Sequence, residues 1–144
     1  MEATASPGYS GTPLAAKLGY KPSTSAVVIG APGNYSAMLE PLPEGVAFER
    51  TASSRTDLVH VFVVEREMLC EHLSVLRKKL KPEAAVWVSW PKKSSKVPTN
   101  VTEDVIRQVA LPLGYVDIKV CTVSEVWSGL KLVVRKELRA RNAA

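Results

Sequence analysis

The feature that most constrains the fold is an apolar run at residues 58–64 (LVHVFVV), interrupted only by His60. A strand that is apolar on both sides has to be covered on both faces, which is typical of a central strand in a parallel sheet. A helix is predicted next, from leucines that recur at steps of four, three and four and so share one face: Leu69, Leu73, Leu76 and Leu80. Residues 84–90 are the following strand, so this stretch predicts a right-handed βαβ unit.

Strand and helix patterns alternate from residue 25 to about residue 123, which specifies a parallel sheet. Further strands are predicted at residues 25–30, 46–50, 115–123 and 130–136, and further helices after Asn34 and Thr102. The last two strands are joined by a short link, so they form an antiparallel hairpin, and Gly129 is expected to supply a positive φ in its turn. Alternation alone also fits a flavodoxin-like fold, and the hairpin carries the distinction. We predict an α/β, three-layer, Rossmann-like domain whose mostly parallel sheet ends in an antiparallel hairpin.

The length of 144 residues suits one domain. Residues 1–24 are expected to be an N-terminal arm packing on the domain, residues 25–137 the domain itself, and residues 138–144 a flexible basic tail. Neither a signal peptide nor an apolar segment of the ~20 residues that span a bilayer is recognisable, so we expect a cytoplasmic protein with no membrane partner. Cys70 and Cys121 lack metal-ligand spacing, which predicts free thiols and no metal site.

Several segments resemble the class I methyltransferases. Residues 57–59 (DLV) opening an apolar strand are similar to the start of their fourth strand, and residues 80–82 (LKP) before the strand at 85–88 are similar to the step into their fifth. Residues 116–134 would then supply their sixth and seventh strands. One helix and one strand of the usual plan are missing between Arg50 and Asp57. The resemblance implies a reduced methyltransferase-like fold.

A second resemblance covers nearly the whole chain in order. It is to a small bacterial family numbered 3052 among domains of unknown function. The matching segments are residues 8–14 (GYSGTPL), 31–33 (APG), 41–43 (PLP), 88–94 (VSWPKKS), and 119–121 (KVC) through 127–130 (WSGL). This resemblance implies a methyltransferase-like fold and assigns neither an activity nor a functional residue.

The loop after the first strand decides whether a nucleotide cofactor can bind. A loop that binds S-adenosylmethionine uses closely spaced glycines, which let the backbone approach the ligand and offer N–H donors. Gly30 and Gly33 remain here, but Pro32 removes one donor, and no GxGxG or GxGxxG pattern is present. Glu49, near the end of the second strand, could bind ribose hydroxyls or pair with a cation. Glu65 could contact a ligand or serve a helix N-terminus.

The most unusual segment follows the strand at residues 84–90. Its charged and hydroxyl groups could hold phosphate or another anion at the carboxyl edge of the sheet: Lys92, Lys93, Ser94, Ser95 and Lys96. Trp90 could offer a stacking face or be buried. The net charge of +5 arises in residues 92–144, which hold ten Lys and Arg against five Asp and Glu. An anionic partner or a simply solvated basic surface would explain this asymmetry.

These observations predict a non-catalytic binding or regulatory domain for an anionic small molecule or protein partner, without a cofactor. The alternative is an S-adenosylmethionine-dependent methyltransferase with an atypical glycine loop. Nucleic acid is disfavoured as a partner, because no aromatic-basic motif of a known module is present. His60 is interpreted as a satisfied core residue, and no arrangement of nucleophile, base and acid indicates hydrolysis.

Overall fold

The computed structural model describes residues 12–143. Residues 1–11, which include the start of the N-terminal arm and most of the segment 8–14, lie outside the described residues. The strands are β1 (Ser25–Ile29), β2 (Ala47–Phe48), β3 (Leu58–Phe62), β4 (Ala85–Pro91), β5 (Tyr115–Thr122) and β6 (Trp127–Val134). The α-helices are α1 (Leu14–Leu18), α2 (Tyr35–Met38), α3 (Arg66–Lys79), α4 (Glu103–Ala110) and α5 (Lys136–Ala143). Two 3-10 turns cover Lys93–Ser95 and Leu111–Leu113.

All six strands form one sheet in the order β2-β1-β3-β4-β6-β5. The first four are parallel, and β6 pairs antiparallel with both β4 and β5. The predicted fold class is therefore confirmed, including the C-terminal hairpin that distinguishes it from a flavodoxin-like sheet.

The central strand β3 is buried along its whole length because both of its faces are covered. Val59 and Val61 point to the face covered by α3 and α4, where Leu69, Leu73 and Ile106 pack. Leu58, His60 and Phe62 point to the other face, which α1 and α2 cover. The indole Nε1 of Trp87 donates a hydrogen bond to the Leu18 carbonyl at 2.8 Å, which fixes α1 to this second face.

The chain passes from β2 to β3 in nine residues, 49–57, without a helix or a strand. Ala52 in this crossover packs against the core on the α3 face. This is the place where the sequence predicts that one helix and one strand of the methyltransferase plan are missing.

The terminal hairpin differs from the prediction in the residue at which its second strand begins. β6 begins at Trp127 and not at residue 130, so the connection is only residues 123–126. Gly129 lies inside β6 without a positive φ, and its predicted role in the turn was wrong. A Cβ there would lie 3.1 Å from a methyl group of Val123 and 3.2 Å from the Trp87 ring. Glycine at this position therefore lets β6 pack closely on Trp87 and Val123, and a larger residue would require these side chains to shift.

The predicted flexible tail, residues 138–144, stays a prediction, and its last residue lies outside the described residues. The structure continues after β6 into the helix α5. The amides of Leu138 and Arg139 donate to the Arg135 carbonyl at 2.9 and 3.1 Å, which begins this helix directly after the sheet.

Candidate functional site

Three of the four loops that follow parallel strands hold predicted site residues or border them, at the carboxyl edge where open α/β sheets bind ligands. They are residues 30–34 after β1, residues 63–65 after β3 and residues 92–102 after β4. The predicted site residues, apart from Glu49, lie in or beside these loops.

The two glycines of the loop after β1 have different roles. Gly30 has a φ of +71°, and a Cβ there would lie 2.8 Å from the carbonyl oxygen of Phe62. Gly33 has nothing within 4 Å of a Cβ position. The carbonyl of Pro32 accepts a hydrogen bond from the Tyr35 amide at 3.1 Å, which begins the single turn of α2. Gly30 is thus required by packing against β3, and Gly33 is the position where a ligand has room to approach.

Glu49 is set apart from this loop by the register of the sheet. Its amide donates to the Ala26 carbonyl at 2.8 Å, and Ala26 pairs with Phe48. Glu49 is therefore level with Val27, three residues before Gly30, which is about 10 Å along a strand. The Glu49 side chain is exposed. Its ribose-binding role stays a prediction, and this offset does not favour it.

The loop after β4 is anchored at both ends to neighbouring loops. The Lys92 amide donates to the Val126 carbonyl at 2.7 Å, which ties the start of the loop to the terminal hairpin. Near its end, the Thr99 hydroxyl donates to the Val64 carbonyl at 2.6 Å. The Asn100 side-chain oxygen then accepts from the Arg66 amide at 2.7 Å and caps α3 from another element. Such anchoring reduces the entropy that a loop loses when it binds.

A cleft of about 500 Å³ opens beside this loop. We call it the lysine groove. Three lysines, one carboxylate and several apolar or hydroxyl residues line it: Lys92, Lys93 and Lys96, Glu103, and Trp90, Pro91, Val97, Pro98, Thr99, Val101 and Thr102. Trp90 is largely buried and contributes an edge of the wall, so it is mainly a core residue. The structure thus brings the three predicted lysines to one cleft.

The two serines of the loop differ in what they can offer a ligand. The Ser95 hydroxyl donates to the Lys92 carbonyl at 2.7 Å and accepts from the Val97 amide at 3.2 Å. It therefore shapes the loop. Ser94 is exposed on the 3-10 turn Lys93–Ser95. Lys96 has a φ of +62°, a left-handed conformation that reverses the chain after this turn.

The N-terminus of α4 borders the same groove but is already compensated. The Thr102 hydroxyl accepts from the Val105 amide at 3.1 Å, which confirms the predicted cap. Glu103 and Asp104 place carboxylates in the first turn, where they offset the helix dipole, and both pair with Arg107. The helix dipole is therefore offset at this end of α4, and Glu103 adds one carboxylate to the three lysines that line the groove.

A buried chain of hydrogen bonds runs behind the site and was not foreseen from the sequence. The Tyr20 and Tyr35 hydroxyls are 2.9 Å apart, Tyr35 Oη lies 2.8 Å from His60 Nδ1, and His60 Nε2 lies 2.7 Å from Ser89 Oγ. Burial lowers the pKa of His60 to about 3 and raises the pKa of Tyr35 above its usual 10. The imidazole is therefore neutral, with one nitrogen donating and the other accepting.

These hydrogen bonds confirm that His60 is a core residue whose two ring nitrogens both have partners. His60 and Ser89 are both 0% exposed, so the serine cannot reach a substrate as a nucleophile. The available signal in the sequence was that each is the only polar residue within its apolar strand segment, 58–64 or 85–91. Their pairing depends on β3 and β4 being neighbours in register, which the local pattern does not fix.

The longest helix in residues 12–143 is α3, which has 14 residues. Within this range, no group of three or more His, Cys, Asp or Glu side chains is placed to hold a metal ion. None of the helices that the structure describes is long and apolar enough to cross a bilayer. Cys70 and Cys121 are free thiols, and burial raises the pKa of Cys121 above its usual range.

Comparisons with known proteins identify the fold. No protein-family model matches the chain, and no curated protein matches it significantly. Among solved structures, an S-adenosylmethionine-dependent methyltransferase from Aquifex aeolicus superposes with a TM-score of 0.61 at 13% identity, over 83% of this chain and 87% of that one. The tRNA methyltransferase TrmK of Bacillus subtilis gives 0.53 at 10% identity, over 85% and 64%.

The fibrillarin pre-rRNA processing protein of Methanococcus jannaschii also matches, with a TM-score of 0.54 at 9% identity, over 85% of this chain and 69% of that one. At such low identities the likeness shows the fold alone. The domain has a mostly parallel, six-stranded Rossmann-like fold that is similar to the fold of S-adenosylmethionine-dependent methyltransferases.

Proposed function

We propose that this protein is a non-catalytic binding domain that holds an anionic ligand in the lysine groove. The observation that carries the proposal is the convergence of Lys92, Lys93 and Lys96 on one cleft at the carboxyl edge. Three ammonium groups within five residues raise the local potential and can each donate to phosphate or carboxylate oxygens.

The shape of the groove supports a small or extended anion that has an apolar part. Val97 is 39% exposed beside the lysines, and Pro98 and Val101 also form the wall. The loop is held by hydrogen bonds to Val126 and Val64, so the groove is formed before a ligand arrives. A metabolite phosphate or an acidic segment of a partner protein has the required chemistry.

Catalysis on a methyl donor has weaker support in the same residues. The loop after β1 contains Pro32, and α2 after it has only four residues. A helix this short adds little dipole at its N-terminus, because the dipole grows with the number of aligned peptide units. Glu49 is also displaced from the loop by the sheet register.

The proposal is tested by replacing the three groove lysines with alanine. We expect titration calorimetry to show pyrophosphate binding to the parent and at least about tenfold weaker binding to K92A/K93A/K96A. The free energy of unfolding should change by under ~0.5 kcal/mol for each lysine replaced, since exposed charges contribute little to stability. The matched control is K78A/K79A/K136A, which removes three exposed lysines outside the groove. Equal loss in both variants, or no loss in either, would refute a site in the groove.

A second candidate, S-adenosylmethionine binding, is favoured by one observation beside the fold. The open space at Gly33 leaves the backbone accessible to a ligand. Calorimetry with S-adenosylmethionine and S-adenosylhomocysteine tests this candidate in the parent and in Gly33→Val. The variant should fold, because nothing lies within 4 Å of a Cβ at this position. Micromolar binding that the variant loses would favour this candidate. The absence of heat at millimolar ligand would exclude it and leave the binding domain.

A further inference from the structure

A second basic cluster lies at the opposite, amino edge of the sheet, on the face that α1 covers. A cavity of about 390 Å³ opens there among the starts of β1, β3 and β4. Lys21 and Lys131 line it, together with Gly19 and the hydroxyl residues Ser23 and Thr24. The ammonium of Lys131 lies 4.0 Å from the position of a Cβ on Gly19, so its charge is at the cavity wall.

Lys131 has no acidic neighbour across either of its strand pairs. On β4 it is opposite Trp87, and on β5 it is opposite Lys119. Like charges directly opposite each other destabilise a sheet. Partial burial, with Lys119 and Lys21 nearby, lowers the pKa of Lys131 below its usual range. Both effects disfavour the charged form of Lys131, and an anion bound in the cavity would offset them.

The carboxylate in the cavity, that of Asp57, is already committed to other partners. Asp57 Oδ1 accepts from Lys81 Nζ at 2.5 Å, and Oδ2 accepts from the Ser25 amide at 2.9 Å. Lys81 therefore compensates the charge of Asp57, and Lys21 and Lys131 give the cavity its excess positive charge. Thr24 is positioned by the Lys21 amide, which donates to its hydroxyl oxygen at 3.0 Å.

We propose that this amino-edge cavity binds a small phosphorylated molecule, with its phosphate between Lys21 and Lys131. A phosphate dianion can accept from both ammonium groups and from a hydroxyl donor on the wall. The volume is at the small end of the range for ligand pockets and suits a compact metabolite. The site is separate from the lysine groove, because it lies at the other ends of the same strands.

The experiment is a two-dimensional amide NMR titration of the full chain with inorganic phosphate and then pyrophosphate, at constant ionic strength. We expect saturable shifts at the amides of Gly19, Ser23 and Thr24 in the parent and in K92A/K93A/K96A. Lys131→Gln should weaken this binding at least about tenfold, since it removes a charge-assisted hydrogen bond. Lys21→Gln is the second variant, because it lies on a turn and alters no strand pair.

Lys79→Gln is the control, since it removes one exposed lysine from the end of α3. Equal affinity in the parent, Lys131→Gln and Lys21→Gln would overturn the proposal. Shifts that occur only at residues 92–102 would also overturn it, while leaving the lysine groove intact. Binding of single-stranded RNA without binding of phosphate or pyrophosphate would replace the small molecule by a nucleic acid and would likewise refute it.

Discussion

The stability of the domain should fall between pH 8 and pH 5 because His60 is buried as a neutral imidazole. His60 is 0% exposed, and burial lowers its pKa from 6.5 to about 3. Below pH 6.5 the His60 imidazole is protonated in the unfolded chain but stays neutral in the folded protein. Protonation therefore favours unfolding. The contribution is complete above pH 6.5 and is lost as the pH falls from there towards 3.

The size of the effect follows from the pKa difference. At pH 5 the unfolded imidazole is 1.5 pH units below its pKa, whereas the folded one is still neutral. Each unit corresponds to about 1.36 kcal/mol, so the free energy of unfolding should decrease by about 2 kcal/mol between pH 8 and pH 5. The pKa of Asp57 is lowered from 3.8 and that of Cys121 is raised from 9.0, so both groups titrate outside this window.

Urea unfolding followed by tryptophan fluorescence at several pH values measures this decrease. His60→Gln should be less stable at pH 8, because it disturbs the bonds to Tyr35 and Ser89, but its stability should change little down to pH 5. His72→Gln on α3 is the control and should keep the full pH dependence. A flat profile in the parent protein, or an unchanged slope in His60→Gln, would refute a neutral buried imidazole as the cause.

Glycine substitutions test the packing of the loop and of the hairpin. Gly30→Ala should destabilise by about 1–3 kcal/mol, because of its positive φ and a 2.8 Å contact with the backbone of β3, whereas Gly33→Ala should leave the thermal midpoint nearly unchanged. Equal midpoints for these two variants would contradict the loop geometry. Gly129→Ala should cost about 1–3 kcal/mol in urea unfolding, because its Cβ would press on the Trp87 ring at 3.2 Å. Ser128→Ala is the neighbouring control, and a Gly129→Ala variant as stable as this control would disprove close packing as the reason for glycine there.

The elements of this domain that the sequence predicts correctly are those with a strong local pattern. The apolar run at 58–64 and the leucines of α3 are recognised by the spacing of their buried residues. The Thr102 cap depends on a hydrogen bond to a residue three positions away. The absence of a helix between the last two strands also specifies their antiparallel pairing. These local signals were sufficient for the order of elements and hence for the fold class.

Only part of the candidate sites could be predicted from such local sequence signals. The three lysines of the groove are contiguous in sequence and follow a core strand, so their location at the carboxyl edge could be predicted. The displacement of Glu49 could not, because β2 is only two residues long and its offset against β1 is set by sheet pairing. The role of Gly129 likewise depends on the start of β6 and on the Trp87 ring opposite it.

What the sequence alone determined is the α/β class, the parallel core with its terminal hairpin, and the lysine-rich loop at one edge. Only the tertiary structure joined Tyr35, His60 and Ser89 into one buried chain, and Lys21 and Lys131 around one cavity. The physical reason is the range of the interactions. Periodicity and caps act over a few residues, whereas these groups meet through strand pairing and helix packing between segments 25 to 110 residues apart.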